Sequence, residues 1–391
     1  MSQADEIVGL EAGATERSQH LALALSGGGA RAAYQVGALR LLARRRPRLR
    51  VPILTGASAG AINAVHVASF QGPFAEAIEE LRALWLSIET AKVFRTDPAS
   101  LAAAGLRWGA SLLLGRLRAA PNARGLVDTS PLRKFLSAAL HARDGELGGI
   151  SKNIADGKLR AIAIATTHYG TGRSITWVQG HPVEVWRRPQ REAVPGVITL
   201  EHIMASAAIP FVFPAIRLGS SWHGDGGIRQ IAPLSPALHL GASRILTVST
   251  RPRPQPGEFG DAGPEQYPPP AQILSVLLNA VFLDMLDFDV LNLNRITSLV
   301  EELPGPRHGL RSARVLVLRP SRDLGALAAE HEWRLPRGVR FLLRGLGADE
   351  RRSADLLSMI LFEPFFIRRL LELGESDAEE NASELDAFLA D

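Results

Sequence analysis

Cysteine is absent from the 391-residue chain. Its absence excludes disulfides, thiolate zinc sites and a cysteine nucleophile. Long apolar runs are also scarce. The longest, Ile273–Leu283 and Leu101–Leu106, fall well short of the roughly 20 apolar residues that span a bilayer. Met1–His20 lacks the basic start and apolar stretch of a secretory signal, so we expect a cytoplasmic protein.

Lysine is also rare in this chain. Only Lys92, Lys134, Lys152 and Lys158 occur among 44 basic residues, so arginine supplies most of the positive charge. The formal net charge is +4, but residues 372–391 hold eight acids and no base, which leaves +12 on the rest of the chain. Such an excess would suit an anionic surface. Composition alone favours the simpler interpretation of an arginine-rich, solvated surface.

The order of apolar and glycine-rich segments indicates the fold class. Leu21–Leu25 is a short apolar run, followed by three glycines and a helical pattern over Ala32–Arg45. Val51–Leu54 repeats this arrangement, with Gly56–Gly60 as the turn and a helical stretch to about Phe70. Strand, glycine turn and helix in repetition are typical of a parallel α/β sheet. With 46% hydrophobic residues, the chain has ample material for one large core.

The remaining segments suggest a division into one catalytic domain and its extensions. We expect a disordered segment over residues 1–18 and the catalytic domain over 19–320. Within that domain, 85–125 is predicted as a helical insertion or lid and 251–270 as a proline-rich loop. A helical C-terminal extension over 321–373 would be followed by a loosely held acidic tail over 374–391.

One glycine turn has the form of a nucleophile elbow. Gly56-Ala57-Ser58-Ala59-Gly60 fits Gly-x-Ser-x-Gly and lies between a predicted strand and a predicted helix, which is the context that this motif requires. A serine in so tight a turn brings neighbouring backbone close, and glycine two positions to either side avoids the clash. The helix that follows would place its positive end at the Ser58 hydroxyl.

The other glycine turn, Ser26-Gly27-Gly28-Gly29-Ala30-Arg31, opens the first helix. Three consecutive glycines expose backbone N–H groups that can bind a phosphate or an oxyanion. A P-loop is excluded because no Gly-Lys-Ser/Thr follows. A dinucleotide-binding loop is less sharply disfavoured: Ala32 is tolerated in its third glycine position, but no acidic residue ends the second strand.

A serine nucleophile needs a base, and two arrangements remain open. Asp225, in the predicted turn His223-Gly224-Asp225-Gly226-Gly227, could take the proton directly. Alternatively, His308 or His331 could complete a Ser-His-Asp triad in the order of an α/β-hydrolase. That fold usually builds several strands before its elbow, whereas one strand precedes the strand that leads to Ser58.

Taken together, these segments resemble the patatin-like phospholipase family. The resemblance rests on Leu23–Arg31, Gly56–Gly60 and Asp225-Gly226-Gly227, in that order, and on Asp128–Leu132 and Ala205–Pro214. It covers about residues 19–250. It implies an α/β fold, a three-layer α/β/α sandwich around a mainly parallel sheet.

The resemblance also implies roles for individual residues. Ser58 would be the nucleophile and Asp225 the base of a Ser-Asp dyad that hydrolyses acyl esters of phospholipids or related lipids. Gly27, Gly28, Gly29 and Arg31 would form the oxyanion hole, and the motifs would be supported by Gly56, Gly60, Gly226 and Gly227. Ser26 and Ala57 depart from residues common in the family (Asp and Thr, respectively), but neither change removes a catalytic atom.

The same resemblance sets the expected partners. No metal or organic cofactor is expected, and the substrate would be a phospholipid or another acyl ester. Peripheral contact with an anionic membrane is a hypothesis based on the +12 charge, and no nucleic-acid partner is expected. Two other functions stay open: a catalytically idle scaffold or lipid-binding protein with the same fold, and a dinucleotide-binding oxidoreductase.

Overall fold

The computed structural model describes most of the chain: residues 20–97, 125–180, 185–252, 270–282, 285–302, 310–330 and 354–390, with 99–100, 102–103, 105–107, 110, 267 and 340. The predictions for 1–18, for most of 99–124 and for most of 251–270 lie outside the described residues. So do residues 331–339 and 341–353 of the C-terminal extension and the two candidate bases His308 and His331.

The described elements alternate between strands and helices along the chain. The strands are β1 (His20–Leu25), β2 (Ile53–Gly56), β3 (Ala161–His168), β4 (Arg173–Gly180), β5 (Arg187–Arg188), β6 (Arg191–Pro195), β7 (Ile216–Leu218), β8 (Ser221–Asp225), β9 (Ala242–Val248) and β10 (Arg314–Leu318). The helices are α1 (Ala32–Arg45), α2 (Ala59–Ser69), α3 (Phe74–Leu86), α4 (Thr90–Val93), α5 (Ser130–Ala139), α6 (Gly148–Ala155), α7 (Leu200–Ser206), α8 (Ser235–His239), α9 (Pro270–Phe282), α10 (Met285–Glu302), α11 (Leu324–Ala329), α12 (Ala354–Ile360), α13 (Pro364–Glu380) and α14 (Ala382–Ala390).

The described strands form one ten-stranded sheet. Eight of them follow the order β10-β9-β1-β2-β3-β4-β6-β5, and β8 and β7 lie off this path, with β8 paired to β3. The run from β10 to β3 is parallel throughout, and β4 also pairs with β6 in parallel. Antiparallel pairs join β4 to β3 and β5 to β6, and β8 pairs antiparallel with both β3 and β7. The sheet is therefore mainly parallel, with its antiparallel pairs at one side.

Helices cover both faces of this sheet. Side chains along β1 alternate between two cores: Leu23 and Leu25 belong to the larger cluster and Ala22 and Ala24 to the smaller, as the two-residue period of a strand requires. The larger cluster includes residues of α1, α2, α3 and the C-terminal helices, and the smaller includes residues of α8 and α10. The predicted three-layer sandwich with a helical C-terminal region is confirmed.

The acidic C-terminal segment differs from the predicted loose tail. Residues 374–390 belong to α13 and α14, α13 packs against α1, and Ala378, Leu385 and Phe388 are buried. Its acids face the arginines of α1, so that Glu375 forms ion pairs with Arg40 (2.6 Å) and Arg44 (2.7 Å). Charge complementarity with α1 thus offsets the self-repulsion that a run of acids has in isolation.

No helix in the part of the chain that the structure describes is both long enough and apolar enough to cross a membrane. The predicted insertion at 85–125 is described mainly at its two ends. There Trp85 and Phe94 are buried in the larger core cluster.

Candidate active site

The Gly56–Gly60 turn has the backbone of a nucleophile elbow. Ser58 lies between β2 and α2 with φ of +53°, a strained conformation for a residue with a side chain. A Cβ atom on Gly60 would lie 2.3 Å from the carbonyl oxygen of Leu25, and one on Gly56 would lie 2.6 Å from Cα of Ala61. Both glycines are therefore required by close backbone approach.

The sheet also places Asp225 close to Ser58, at the end of a strand that runs antiparallel to β2. On β3, the residues Ala161–Ile164 pair with β2, and Thr166–His168 pair with β8 on the same side. Because β8 runs antiparallel to β3, its last residue, Asp225, ends just beyond the end of β2. β2 and β8 therefore lie end to end along the same side of β3, and the serine that follows β2 meets the aspartate that ends β8.

Ser58 and Asp225 are hydrogen-bonded to each other. The Ser58 hydroxyl donates to Asp225 Oδ2 at 2.6 Å, and the Gly227 amide donates to Asp225 Oδ1 at 2.8 Å. Asp225 is fully buried. Burial raises its pKa to about 7, although the hydrogen bonds from Ser58 and Gly227 act in the lowering direction. A carboxylate with a pKa near neutrality is suited to take up and return a proton.

Backbone and side-chain contacts fix both members of this pair. The backbone carbonyl of Asp225 accepts a hydrogen bond from the Thr167 hydroxyl at 2.7 Å. The Ser58 amide donates to Ser206 Oγ at 3.0 Å, and Ser206 Oγ donates to the carbonyl of Ala165 at 2.7 Å. At Gly226, a Cβ atom would lie 2.2 Å from that same carbonyl oxygen. Sequence reasoning assigned no role to Ser206, although its stretch was among those that resembled the family.

The three-glycine loop lies directly beside Ser58. A Cβ atom on Gly27 would lie 2.8 Å from Cβ of Ser58, and Gly28, Gly29 and Ser58 line one small space. The loop closes with a hydrogen bond from the Arg31 amide to the Gly28 carbonyl at 3.1 Å. The backbone of this loop is therefore in close contact with Ser58.

A buried polar chain supports the base of the loop. Gln35 Nε2 donates to the carbonyl of Ser26 at 2.9 Å, and Asn63 Nδ2 donates to Gln35 Oε1 at 3.1 Å. Trp85 Nε1 in turn donates to Asn63 Oδ1 at 2.8 Å. No sequence motif pointed to this chain, because its members come from three helices and meet only in the folded protein.

The side chain of Arg31, a residue predicted for the oxyanion hole, contacts the C-terminal extension. Its guanidinium donates to Ser358 Oγ at 2.7 Å and to Asp355 Oδ1 at 2.5 Å, both on α12. Arg31 is only 2% exposed, and a buried guanidinium requires such acceptors. The side chain of Arg31 is therefore bound to the C-terminal extension, and only its backbone belongs to the glycine loop.

Ser58 is one of the residues that line an apolar pocket. No lysine, arginine, aspartate or glutamate is among its described lining residues. His66 lines it as well, with its pKa lowered by burial to about 4 and its Nε2 3.1 Å from the Ala77 carbonyl oxygen. The apolar lining includes Ile62, Leu81, Trp85, Leu136, Phe213 and Phe362.

The described histidines near the site have other partners. His223 Nδ1 lies 3.1 Å from Thr166 Oγ1, which also accepts a hydrogen bond from Trp177 Nε1. Within the described residues, Ser58 Oγ and the Asp225 carboxylate have no hydrogen bond to a histidine. The same residues include no group of three histidines or acids that could hold a metal ion.

A serine on a strand-to-helix elbow, hydrogen-bonded to an aspartate across a mainly parallel sheet, defines an α/β protein of the nucleophile-elbow class. The patatin-like phospholipase family model matches residues 23–238. The chain belongs to this family, and the resemblance predicted from its sequence is confirmed. No curated protein matches the chain in sequence.

Several solved structures are similar to this chain at low identity. The human GIVD cytosolic phospholipase A2 in complex with methyl gamma-linolenyl fluorophosphonate is 15% identical, with 99% of this chain and 61% of that chain covered and a TM-score of 0.46. VipD from Legionella pneumophila is 12% identical, with 93% and 66% covered and a TM-score of 0.38. The type III effector ExoU of Pseudomonas aeruginosa is 15% identical, with 92% and 54% covered and a TM-score of 0.29. The chain thus spans less than two thirds of the length of each.

Proposed function

We propose that the protein is a serine acyl hydrolase that cleaves acyl esters of phospholipids or related lipids. The observation that carries the proposal is the 2.6 Å hydrogen bond from Ser58 Oγ to a fully buried Asp225, with Ser58 lining an apolar pocket. Membership of the patatin-like phospholipase family supports a lipid as the substrate.

In the first half of the proposed reaction, the Asp225 carboxylate takes the hydroxyl proton of Ser58 while Ser58 Oγ attacks the ester carbonyl carbon. Negative charge develops on the carbonyl oxygen, and in this proposal the backbone N–H groups of Gly27, Gly28 and Gly29 stabilise it. The tetrahedral intermediate then collapses to an acyl-Ser58 ester. The alcohol leaves with the proton that Asp225 returns to its oxygen.

In the second half, water replaces the alcohol. Asp225 takes a proton from the water as its oxygen attacks the acyl-Ser58 carbonyl, and the same glycine loop stabilises the second oxyanion. Collapse breaks the bond to Ser58 Oγ, which regains its proton from Asp225. The fatty acid is released and the enzyme returns to its starting state.

The pocket suits the acyl part of such a substrate. Lipid-binding pockets are lined mainly by apolar side chains with a few polar groups at the reacting end. Here Ser58 is at that end, and aliphatic and aromatic side chains such as Ile62, Leu136 and Phe213 line the remainder. The low pKa of His66 keeps that side chain neutral at pH 7, so it adds no charge to the wall.

The test is active-site labelling with a fluorophosphonate probe combined with ester hydrolysis. Ser58→Ala should abolish both, because no hydroxyl remains to form the covalent bond. Ser69→Ala, at the other end of α2, is the matched control and should label as the wild type does. Full labelling of Ser58→Ala would refute the assignment. A wild-type protein that neither labels nor hydrolyses would favour the idle scaffold.

The role of Asp225 is tested separately. Asp225→Asn keeps the size of the side chain and removes the base, so hydrolysis should fall by at least about a hundredfold. Near-normal turnover would instead favour a histidine base such as His308 or His331.

A further inference from the structure

The active site includes residues from the far end of the chain. The family model ends at residue 238, yet Leu356, Met359 and Ile360 of α12 line a small space together with Gly28, Gly29 and Ser58. Phe362, just after α12, also lines the apolar pocket at Ser58. One wall of the substrate space is thus formed outside the family-matched region.

The backbone of α12 also supports the glycine loop. Gly29 has φ of +57°, and a Cβ atom there would lie 2.1 Å from the carbonyl oxygen of Met359. The loop therefore rests directly on the last turn of α12, with no side chain between them. A shift of α12 would change the positions of the N–H groups of Gly28 and Gly29.

A buried polar clamp holds this contact together. The Arg31 guanidinium donates to Ser358 Oγ and to Asp355 Oδ1, and Asn279 Nδ2 donates to Asp355 Oδ2 at 2.5 Å. Arg31 and Ser358 are buried at 2% and 0% exposure. The clamp begins one residue after Ala30, where the loop ends, so it fixes α12 relative to the oxyanion-binding backbone.

We propose that α12 and Phe362 are a functional part of the active site. In this proposal, which rests on the proposed function, Arg31, Asp355 and Ser358 are positioning residues for the glycine loop. Phe362 determines the acyl-chain selectivity of the pocket. The C-terminal extension thus contributes both to the rate of the acyl transfer and to the choice of substrate.

The positioning role is tested with Asp355→Asn, which removes the charge opposite Arg31. We expect kcat, and the rate of fluorophosphonate labelling, to fall about tenfold or more with KM changed less than about twofold, because loop N–H groups act mainly on the oxyanion of the transition state. Asp355→Glu should recover part of the rate. Ser358→Ala, a milder change, should lower kcat in the same way if Asp355→Asn does not fold.

The matched control is the ion pair of Asp287 with Arg319, in which the aspartate is as exposed as Asp355 (33% against 34%). Asp287→Asn should leave kcat unchanged. Equal effects of Asp287→Asn and Asp355→Asn on kcat would overturn the positioning role, as would a loss that appears only in KM.

The selectivity role is tested with Phe362→Ala on nitrophenyl esters of increasing chain length. A larger pocket should raise the ratio of kcat/KM for long over short chains by about tenfold. Phe388→Ala, an equally buried phenylalanine (5% against 6%) that is not part of the pocket lining, should leave the ratio unchanged.

The outcomes separate the two proposals. If the wild-type protein hydrolyses no ester and takes no label, the proposed function fails and this inference with it. If the wild type is active but Phe362→Ala keeps the wild-type ratio and Asp355→Asn keeps the wild-type kcat, only the role of α12 is overturned. If both variants shift as expected and their controls do not, the C-terminal wall is part of the enzyme's active site.

Discussion

Asp225 is the cross-strand partner of Thr166, two positions beyond Ile164, where the pairing of β3 with β2 ends. β2, which leads to Ser58, and β8, which ends at Asp225, therefore lie on one side of β3 and run towards each other. Side chains alternate between the faces of a strand, so a slip of one residue in the β8 register would turn the Asp225 carboxylate to the other face. The relative positions of Ser58 and Asp225 thus depend on the register of β8 against β3.

The ionisation of Asp225 should control the rate. Because its pKa is raised to about 7 and the base must be ionised, kcat/KM for a soluble ester should rise with pH and level off above about pH 8. Initial rates between pH 5 and 9 measure this, with Ser58→Ala as the background. A rate that stays constant down to pH 5 would contradict an Asp225 base.

The same pKa predicts how stability depends on pH. Between about pH 4 and pH 7 the native state retains a proton on Asp225 that the unfolded chain has lost, so the contribution of Asp225 to the stability of the wild type falls as pH rises. Asp225→Asn lacks this term, and its amide can still donate to Ser58 and accept from Gly227. The variant should therefore gain stability relative to the wild type across this range, by an amount on the order of a few kcal/mol, and keep that gain above it.

Urea unfolding at pH 4, 5.5, 7 and 8.5 measures the difference. The other acids contribute equally to both proteins, so the comparison isolates Asp225. A difference that stays constant over this pH range would show that Asp225 has an ordinary pKa.

Gly60→Ala should destabilise the protein although alanine favours helices. The helix propensity of alanine would add about 1 kcal/mol. The new Cβ would lie 2.3 Å from the Leu25 carbonyl oxygen, and we expect a net loss of about 2 kcal/mol or more. Gly148→Ala, in α6 with no atom within 4 Å of the new Cβ, is the control and should be neutral or stabilising. If Gly60→Ala and Gly148→Ala change the free energy of unfolding by the same amount, the close backbone approach at Gly60 does not contribute to stability.

The ion pairs between the C-terminal helices and α1 should make a small contribution to the free energy of unfolding. Glu375→Gln removes the partner of both Arg40 and Arg44, and the pairs are partly exposed, so the cost should be about 0.5–1 kcal/mol at low salt and less at 1 M salt. Glu372→Gln, whose pair with Arg369 is more exposed, should cost almost nothing. Thermal melts at the two salt concentrations measure both variants, and a loss at Glu375 that does not depend on salt would refute this interpretation.

The parts of the site that the sequence predicted are those that a short segment determines by itself. The Gly56–Gly60 motif contains its own geometry, since the spacing of its glycines reflects backbone contacts made within the elbow and with the neighbouring β1. The alternation of apolar runs and glycine turns predicted the layers of the fold for the same reason. Asp225 was predicted as a candidate base, although the residues around it were interpreted as a turn.

The parts that the sequence did not predict depend on distant contacts. β8 contains Gly224 and ends next to Gly226, so local propensity favours a turn, and only pairing with β3 makes it a strand. The contacts of the Arg31 side chain could not be predicted, because its acceptors, Asp355 and Ser358, are more than three hundred residues away. The acidic C-terminal segment was expected to be loose, since its arginine partners lie on α1.

The clamp between Arg31 and Ser358 joins residues 327 positions apart, and this separation has a consequence for synthesis. A ribosome adds about 5–20 residues per second, so a nascent chain exposes its glycine loop and its elbow roughly 15–65 seconds before α12 has been made. During that interval the loop lacks its backbone support. On the proposal made for α12, esterase activity therefore develops late in translation, which would keep the growing chain from acting on lipids near its own ribosome.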